Sequence, residues 1–108
     1  MVASYTRTYF VYILASHNRR RYIGMTNDLE RRVYQHTRKL IPGFTARYNI
    51  NQLVHIEEYS DVYETMDRER QLKRWVRVKK MNLIERDNPG WHDLSAGWYP
   101  TEGTVRRL

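Results

Sequence analysis

Residues 10–24 read FVYILASHNRRRYIG, from Phe10 to Gly24. Tyr9 to Leu14 is a run of aromatic and β-branched residues, and it predicts a strand. Ser16-His17-Asn18-Arg19 is polar and turn-forming. Arg20 to Met25 is apolar again, so the two runs predict a β-hairpin. Gly24 near the end of the second run marks a relaxed backbone or a close approach. Each strand carries one tyrosine, Tyr12 and Tyr22, placed so that hairpin pairing can bring their hydroxyls together. Taken alone, both read as packing residues, because aromatics suit a half-buried sheet.

The rest of the chain supplies helices and one more strand. Thr26-Asn27-Asp28 opens a helix, with Asn27 as the expected N-cap and Glu30 completing a capping box. That helix is expected to run to about Leu40, before Pro42-Gly43. Residues 43–51 are expected as a loop, and Gln52 to Tyr59 as a third strand. Ser60 or Asp61 caps a second helix from about Val62 to Val76, and a third runs from near Lys79 to Asp87. The order β-β-α-β-α-α predicts a small α/β domain of the α+β kind, a three-stranded, mainly antiparallel sheet flanked by helices. The domain is expected over residues 1–94, with 95–108 a partly mobile tail.

Composition narrows the function classes. The 108 residues are enough for one domain with its own core. With no cysteine, disulfides and thiolate metal sites are excluded. Nineteen Lys and Arg against twelve Asp and Glu leave a formal charge of +7. That excess points to a polyanionic partner, nucleic acid first, with plain solubility as the bland alternative. No apolar run approaches the roughly 20 residues of a membrane span, and Met1 to Thr8 has no signal-peptide core. A cytoplasmic protein without a membrane partner is expected, with a monomer favoured.

Helix geometry then separates inward from outward polar residues, at about 100° per residue. With Met66 at zero, Val62, Thr65, Leu72 and Val76 fall between about 240° and 320°, and Glu69 falls inside that stripe at about 300°. A carboxylate on the buried side costs several kcal/mol unless it is compensated. An ion pair, a cleft rim, a metal ligand and a catalytic carboxylate are all consistent with it. In the first helix, Arg32 and His36 flank the stripe of Leu29, Val33 and Leu40, while Arg31 faces solvent. A basic side chain lying over a core edge and a structural histidine are the ordinary readings. Together the pair can also hold a phosphate, because Arg presents a planar fork of donors.

Taken in order, these residues resemble the GIY-YIG nuclease superfamily. Phe10-Val11-Tyr12 stands where the family has Gly-Ile-Tyr, keeping only the tyrosine. After nine residues, Tyr22-Ile23-Gly24 matches the second triplet. Asn27-Asp28-Leu29-Glu30-Arg31-Arg32 and His36 resemble the helix of the catalytic arginine. Arg68-Glu69-Arg70-Gln71-Leu72-Lys73-Arg74-Trp75 resembles the segment of the metal-binding glutamate. Phe44-Thr45-Ala46-Arg47-Tyr48, Trp75-Val76-Arg77-Val78-Lys79-Lys80 and Asn88-Pro89-Gly90-Trp91-His92-Asp93-Leu94 are similar to the small standalone bacterial single-domain branch. The resemblance covers roughly Tyr9 to Leu94.

What it implies is a metal-dependent endonuclease acting on DNA, single-stranded or branched rather than sequence-specific. Its alternative is a non-catalytic nucleic-acid-binding module of the same fold. By resemblance, Tyr12 is the general base, Tyr22 orients water or phosphate, and Arg32 holds the scissile phosphate. His36 assists Tyr12, Glu69 binds one divalent ion (Mg2+, with Mn2+ as the alternative), and Asn88 is a possible accessory residue. Arg47, Tyr48, Lys73, Arg74, Arg77, Lys79 and Lys80 are the expected nucleic-acid contacts.

Overall fold

The first strand carries apolar side chains at every position from Val11 to Ala15, and all of them are buried. A strand apolar on both sides belongs in the middle of a sheet covered on both faces. The computed structural model, which describes residues 7–100, places it there. Strand β1 (Tyr9–Ala15) lies between β2 (Arg21–Thr26) and β3 (Gln52–Tyr59), antiparallel to both. The helices are α1 (Leu29–Thr37), α2 (Phe44–Arg47), α3 (Val62–Arg74) and α4 (Arg77–Asp87).

Alternation along β1 divides the core in two. Val11, Ile13 and Ala15 join Ile23 and Val54 beneath Leu72 of α3 and Leu83 and Ile84 of α4. Tyr12 and Leu14 face the other way, against Leu29 and Val33 of α1 and against Ile50. The β1–β3 register shifts between Ile13 and Leu14. Nearby, the Asp93 carboxylate accepts from the Leu53 amide at 3.1 Å, and the Leu94 amide donates to the Leu53 carbonyl at 2.7 Å. The segment after α4 is thereby tied to the sheet.

Several element boundaries differ from the expected ones, each for a local reason. Asp28, not Asn27, caps α1, its carboxylate accepting from the Arg31 amide at 3.2 Å. With Asp28 as the cap, the third helical position is Arg31, so Glu30 is misplaced for a capping box. Helix α1 also stops at Thr37 instead of continuing to Leu40. Lys39 takes a left-handed φ of 56°, and the Lys39 and Leu40 amides donate back to the His36 and Gln35 carbonyls. This is a Schellman ending built on a lysine. It leaves Leu40 exposed rather than on the core stripe.

The expected loop over 43–51 contains the short helix α2, which buries Thr45. Helix α3 ends at Arg74, and Trp75 and Val76 are extended. Trp75 packs against the core while Val76, 66% exposed, becomes the N-cap of α4, so Val76 is no part of the α3 stripe. Met66 is likewise exposed. Helix α4 accordingly begins at Arg77, two residues before the expected start. At its other end Asn88 is buried: its amide donates to the Val54 and His92 carbonyls and its oxygen accepts from the His92 amide.

Packing continues past Leu94. Trp98 and Tyr99 lie against the α1-side core, and the Tyr99 hydroxyl donates to the Glu30 carbonyl at 2.7 Å. The expectation of a partly mobile tail otherwise falls on residues 101–108, outside the described residues.

Candidate active site

Tyr12 sits at the centre of β1 with no exposed surface. Its cross-strand partner in β2 is Gly24, and the tyrosine ring lies directly over it. A Cβ at residue 24 would stand 2.5 Å from the Tyr12 hydroxyl and 2.6 Å from Cζ. The glycine therefore provides the room that the phenol occupies. Gly24→Ala is expected to displace the ring and to lower stability by about 1–3 kcal/mol, the usual cost of overpacking a core. Urea unfolding followed by circular dichroism measures it, and parent-like stability would show that the ring moves aside freely.

The Tyr12 hydroxyl meets His36 Nε2 at 3.3 Å, and His36 Nδ1 meets Thr45 Oγ1 at 2.9 Å. All three residues are buried. One hairpin strand, α1 and α2 thus converge on a single polar chain. Burial, reinforced by the Arg32 charge, pulls His36 down to about 4, so the imidazole is neutral at ordinary pH. A neutral ring offers one donor and one acceptor. With Nδ1–H donating to Thr45, Nε2 accepts from Tyr12. Burial first, and then Tyr22, push Tyr12 up to about 12, against the pull of Arg32. The resting pair is phenol and imidazole, both uncharged.

Tyr22 is half-buried beside them, its ring centroid 6.4 Å from that of Tyr12 and 5.4 Å from that of His36. Arg32 is half-buried, and its charge bears on both Tyr12 and His36. It also lines a polar cavity of about 210 Å3 at the start of α1, with Thr26, Asn27, Asp28, Arg31 and Gln35. Arg31 is exposed on that rim. Glu69 comes from α3 with its side chain 22% exposed, and Lys73 Nζ lies 3.2 Å from its carboxylate. Its charge reaches Tyr12.

The structure therefore brings the Tyr12, Tyr22 and His36 rings together and sets Arg32 and Glu69 within electrostatic reach of Tyr12. No hydrogen bond links Asn88 to this group; its polar atoms serve the fold. The basic residues lie on several elements. Lys73 and Arg74 end α3, Arg77, Lys79 and Lys80 open α4, and Arg47 ends α2. Tyr48 stacks under Arg20, whose guanidinium carbon is 4.1 Å from the ring centroid, with Arg47 at 5.4 Å. Trp75 carries Lys79 Nζ at 4.4 Å. Thr45 was not singled out by periodicity, since it lies in a segment without a repeating pattern. Its place within the Phe44–Tyr48 block is the sequence signal for it.

A buried phenol and imidazole, with an arginine and a carboxylate in electrostatic reach, thus gather from the hairpin, α1 and α3 of an α+β scaffold. A family model described as the GIY-YIG catalytic domain matches residues 8–82. A UPF0213 protein of Haloquadratum walsbyi is 34% identical over 71% of this chain and 86% of its own length. One of Bacillus velezensis is 31% identical over 74% of this chain and 81% of its own. The solution NMR structure of a UPF0213 protein from Bacillus halodurans shares the fold, with a TM-score of 0.53 and 24% identity, covering 83% of this chain and 97% of that one. The chain belongs to the GIY-YIG family, within its small standalone UPF0213 group. Among the described residues no helix is long and apolar enough to cross a membrane.

Proposed function

We propose that this chain is a divalent-metal-dependent endonuclease that hydrolyses DNA phosphodiester bonds, with single-stranded or branched DNA as substrate. The observation that carries it is the buried Tyr12–His36–Thr45 chain beside the Arg32 guanidinium. A binding module without chemistry has no use for a neutral buried proton relay next to a buried-side cation, and each such group costs stability.

Glu69 fits a hard cation. It is a partly exposed carboxylate held by a single flexible lysine rather than by a bidentate arginine, so it is free to exchange partners. Among the described residues no cluster of three or more His, Asp or Glu side chains stands together. One carboxylate plus water and substrate oxygens is the coordination that magnesium accepts readily. When bound there, such an ion supplies Lewis-acid polarisation of the phosphate and stabilises the leaving 3′ oxygen.

The chain's own residues do the rest. Arg32 holds the scissile phosphate and offsets the charge that builds on it. Tyr12 takes a proton from the attacking water while passing its own to His36 Nε2, which Thr45 keeps in the accepting tautomer. Tyr22 walls the site and orients the water. The water oxygen bonds to phosphorus, the P–O3′ bond breaks, and the 3′ alkoxide is protonated from solvent. Lys73, Arg74, Arg77, Lys79, Lys80 and Arg47 track the phosphate backbone without reading sequence.

A panel of labelled single-stranded, duplex and branched DNA, incubated with magnesium or with chelator, tests the reading. Cleavage is expected only with metal, and on unpaired or branched substrates. Metal-independent cleavage, or metal-dependent binding with no cleavage, would overturn it in favour of the binding module.

A further inference from the structure

The hairpin turn carries three consecutive arginines, Arg19, Arg20 and Arg21, that the catalytic chain does not use. The turn closes with Arg19 at a left-handed φ of 65°, and its three side chains then part company. Arg19 turns to Glu85 and lies over the Trp91 ring. Arg20 stacks on Tyr48. Arg21 stays in a cleft of about 400 Å3 bounded by Asn18, all three arginines, Phe44 and Arg77. That volume is in the range of small-ligand pockets.

No carboxylate lines this cleft. Arg21 Nη1 donates to the Arg19 carbonyl, but its Nε is buried and has no hydrogen-bond partner. The Arg21 guanidinium thus spends a single hydrogen bond on the fold, and its remaining Nη donors are left for an anion. Burial first, and then a like charge nearby (Arg77 on Arg21, Arg21 on Lys80), pulls the Arg21 and Lys80 pKa values down. Like charges crowded together, with only Arg19 paired to an acid, favour an anion between them.

The opposite wall is aromatic. Phe44 is 47% exposed, and its ring centroid is 5.0 Å from that of Tyr48. Beyond it, Gly43, Phe44, Arg47 and Tyr48 line a second hollow. Phosphate donors facing an exposed aromatic ring match an unpaired nucleotide, whose base face is open for stacking. In a duplex both base faces are already stacked. The cleft lies at the turn end of the same hairpin: Arg21 pairs with Ala15 on the α4 side of the sheet, one residue before Tyr22 on the other face.

We propose that this cleft holds a nucleotide of single-stranded DNA flanking the scissile position, its phosphate on Arg21 and Arg77 and its base against Phe44. The proposal rests on the nuclease reading for its substrate. It specifies which strand form the protein grips and where.

The test is fluorescence anisotropy of labelled single-stranded and duplex oligonucleotides with the intact chain in chelator, so that nothing is cut. Phe44→Ala is expected to weaken single-strand binding by roughly 5- to 150-fold, the range for one lost base stack. Duplex binding should be unchanged. Arg77→Gln, at an exposed position, should flatten the slope of log K against log salt by about 0.7, as for one phosphate contact on a single strand. Arg21→Gln should do the same, and its thermal unfolding confirms that the variant is folded. Equal effects of Phe44→Ala on both DNA forms, or no effect of either Phe44→Ala or Arg77→Gln, would overturn the proposal. Parent-like binding by these variants alongside magnesium-dependent cleavage by the parent would sink the cleft alone. Impaired binding by them without any cleavage by the parent would sink the nuclease reading alone.

Discussion

Arg32→Ala is expected to abolish cleavage, while its neighbour Arg31→Ala keeps most of it. The two residues share one helical turn and one charge, so only direction separates them. The charge of half-buried Arg32 reaches both Tyr12 and His36, whereas Arg31 stands exposed at the rim of the adjoining cavity. A donor aimed at charge that develops in the transition state is worth about 100- to 1,000-fold in rate, and a fully charged fork adds to that. Arg32→Lys keeps the charge but loses the planar fork, and should recover only part of the rate. Single-turnover cleavage of a saturating single-stranded substrate measures the chemical step apart from binding. Equal losses in Arg31→Ala and Arg32→Ala would move the phosphate out of the Tyr12–His36 site and into the rim cavity.

Glu69→Ala is expected to lower metal-dependent cleavage by about a thousandfold or more, since several kcal/mol of charge stabilisation leave with the ion. Its effect on folding should be small. The carboxylate is engaged by Lys73 in an i,i+4 pair, and such helix pairs contribute only about 0.3–0.5 kcal/mol. A folded but inactive variant is therefore the expected pairing of results, read by thermal unfolding beside the cleavage assay. Activity that survives Glu69→Ala would remove Glu69 from the metal role. Unfolding of the variant would instead assign the carboxylate a structural role that the Lys73 contact does not account for.

The helix wheel located Arg32, His36 and Glu69 correctly on the inward side, and it did so because short-range geometry decides it. At 100° per residue, a few apolar anchors orient a whole helix. The same wheel failed where the helix ended early. Leu40 lies past a Schellman turn that a lysine makes, and Val76 lies past a break that lets Trp75 reach the core. Helix ends are set by backbone hydrogen bonds that the apolar spacing does not encode. Thr45 fell outside the periodic signal because α2 is a single turn, too short to show a repeat.

The sequence by itself determined the hairpin, the third strand, the order of elements apart from the one-turn α2, and the side of α1 on which His36 lies. Each of these follows from side-chain period and local propensity, which act between residues near in the chain. Only the tertiary structure decided what the stretch from Phe10 to Gly24 is for. Tyr12 stands over Gly24 because of cross-strand register, and meets His36 because α1 packs on that face of the sheet. Tyr12 and His36 lie twenty-four residues apart, and Thr45 a further nine. Burial is what holds the imidazole uncharged and able to accept from the phenol, and burial belongs to the packed sheet and helices rather than to any one segment.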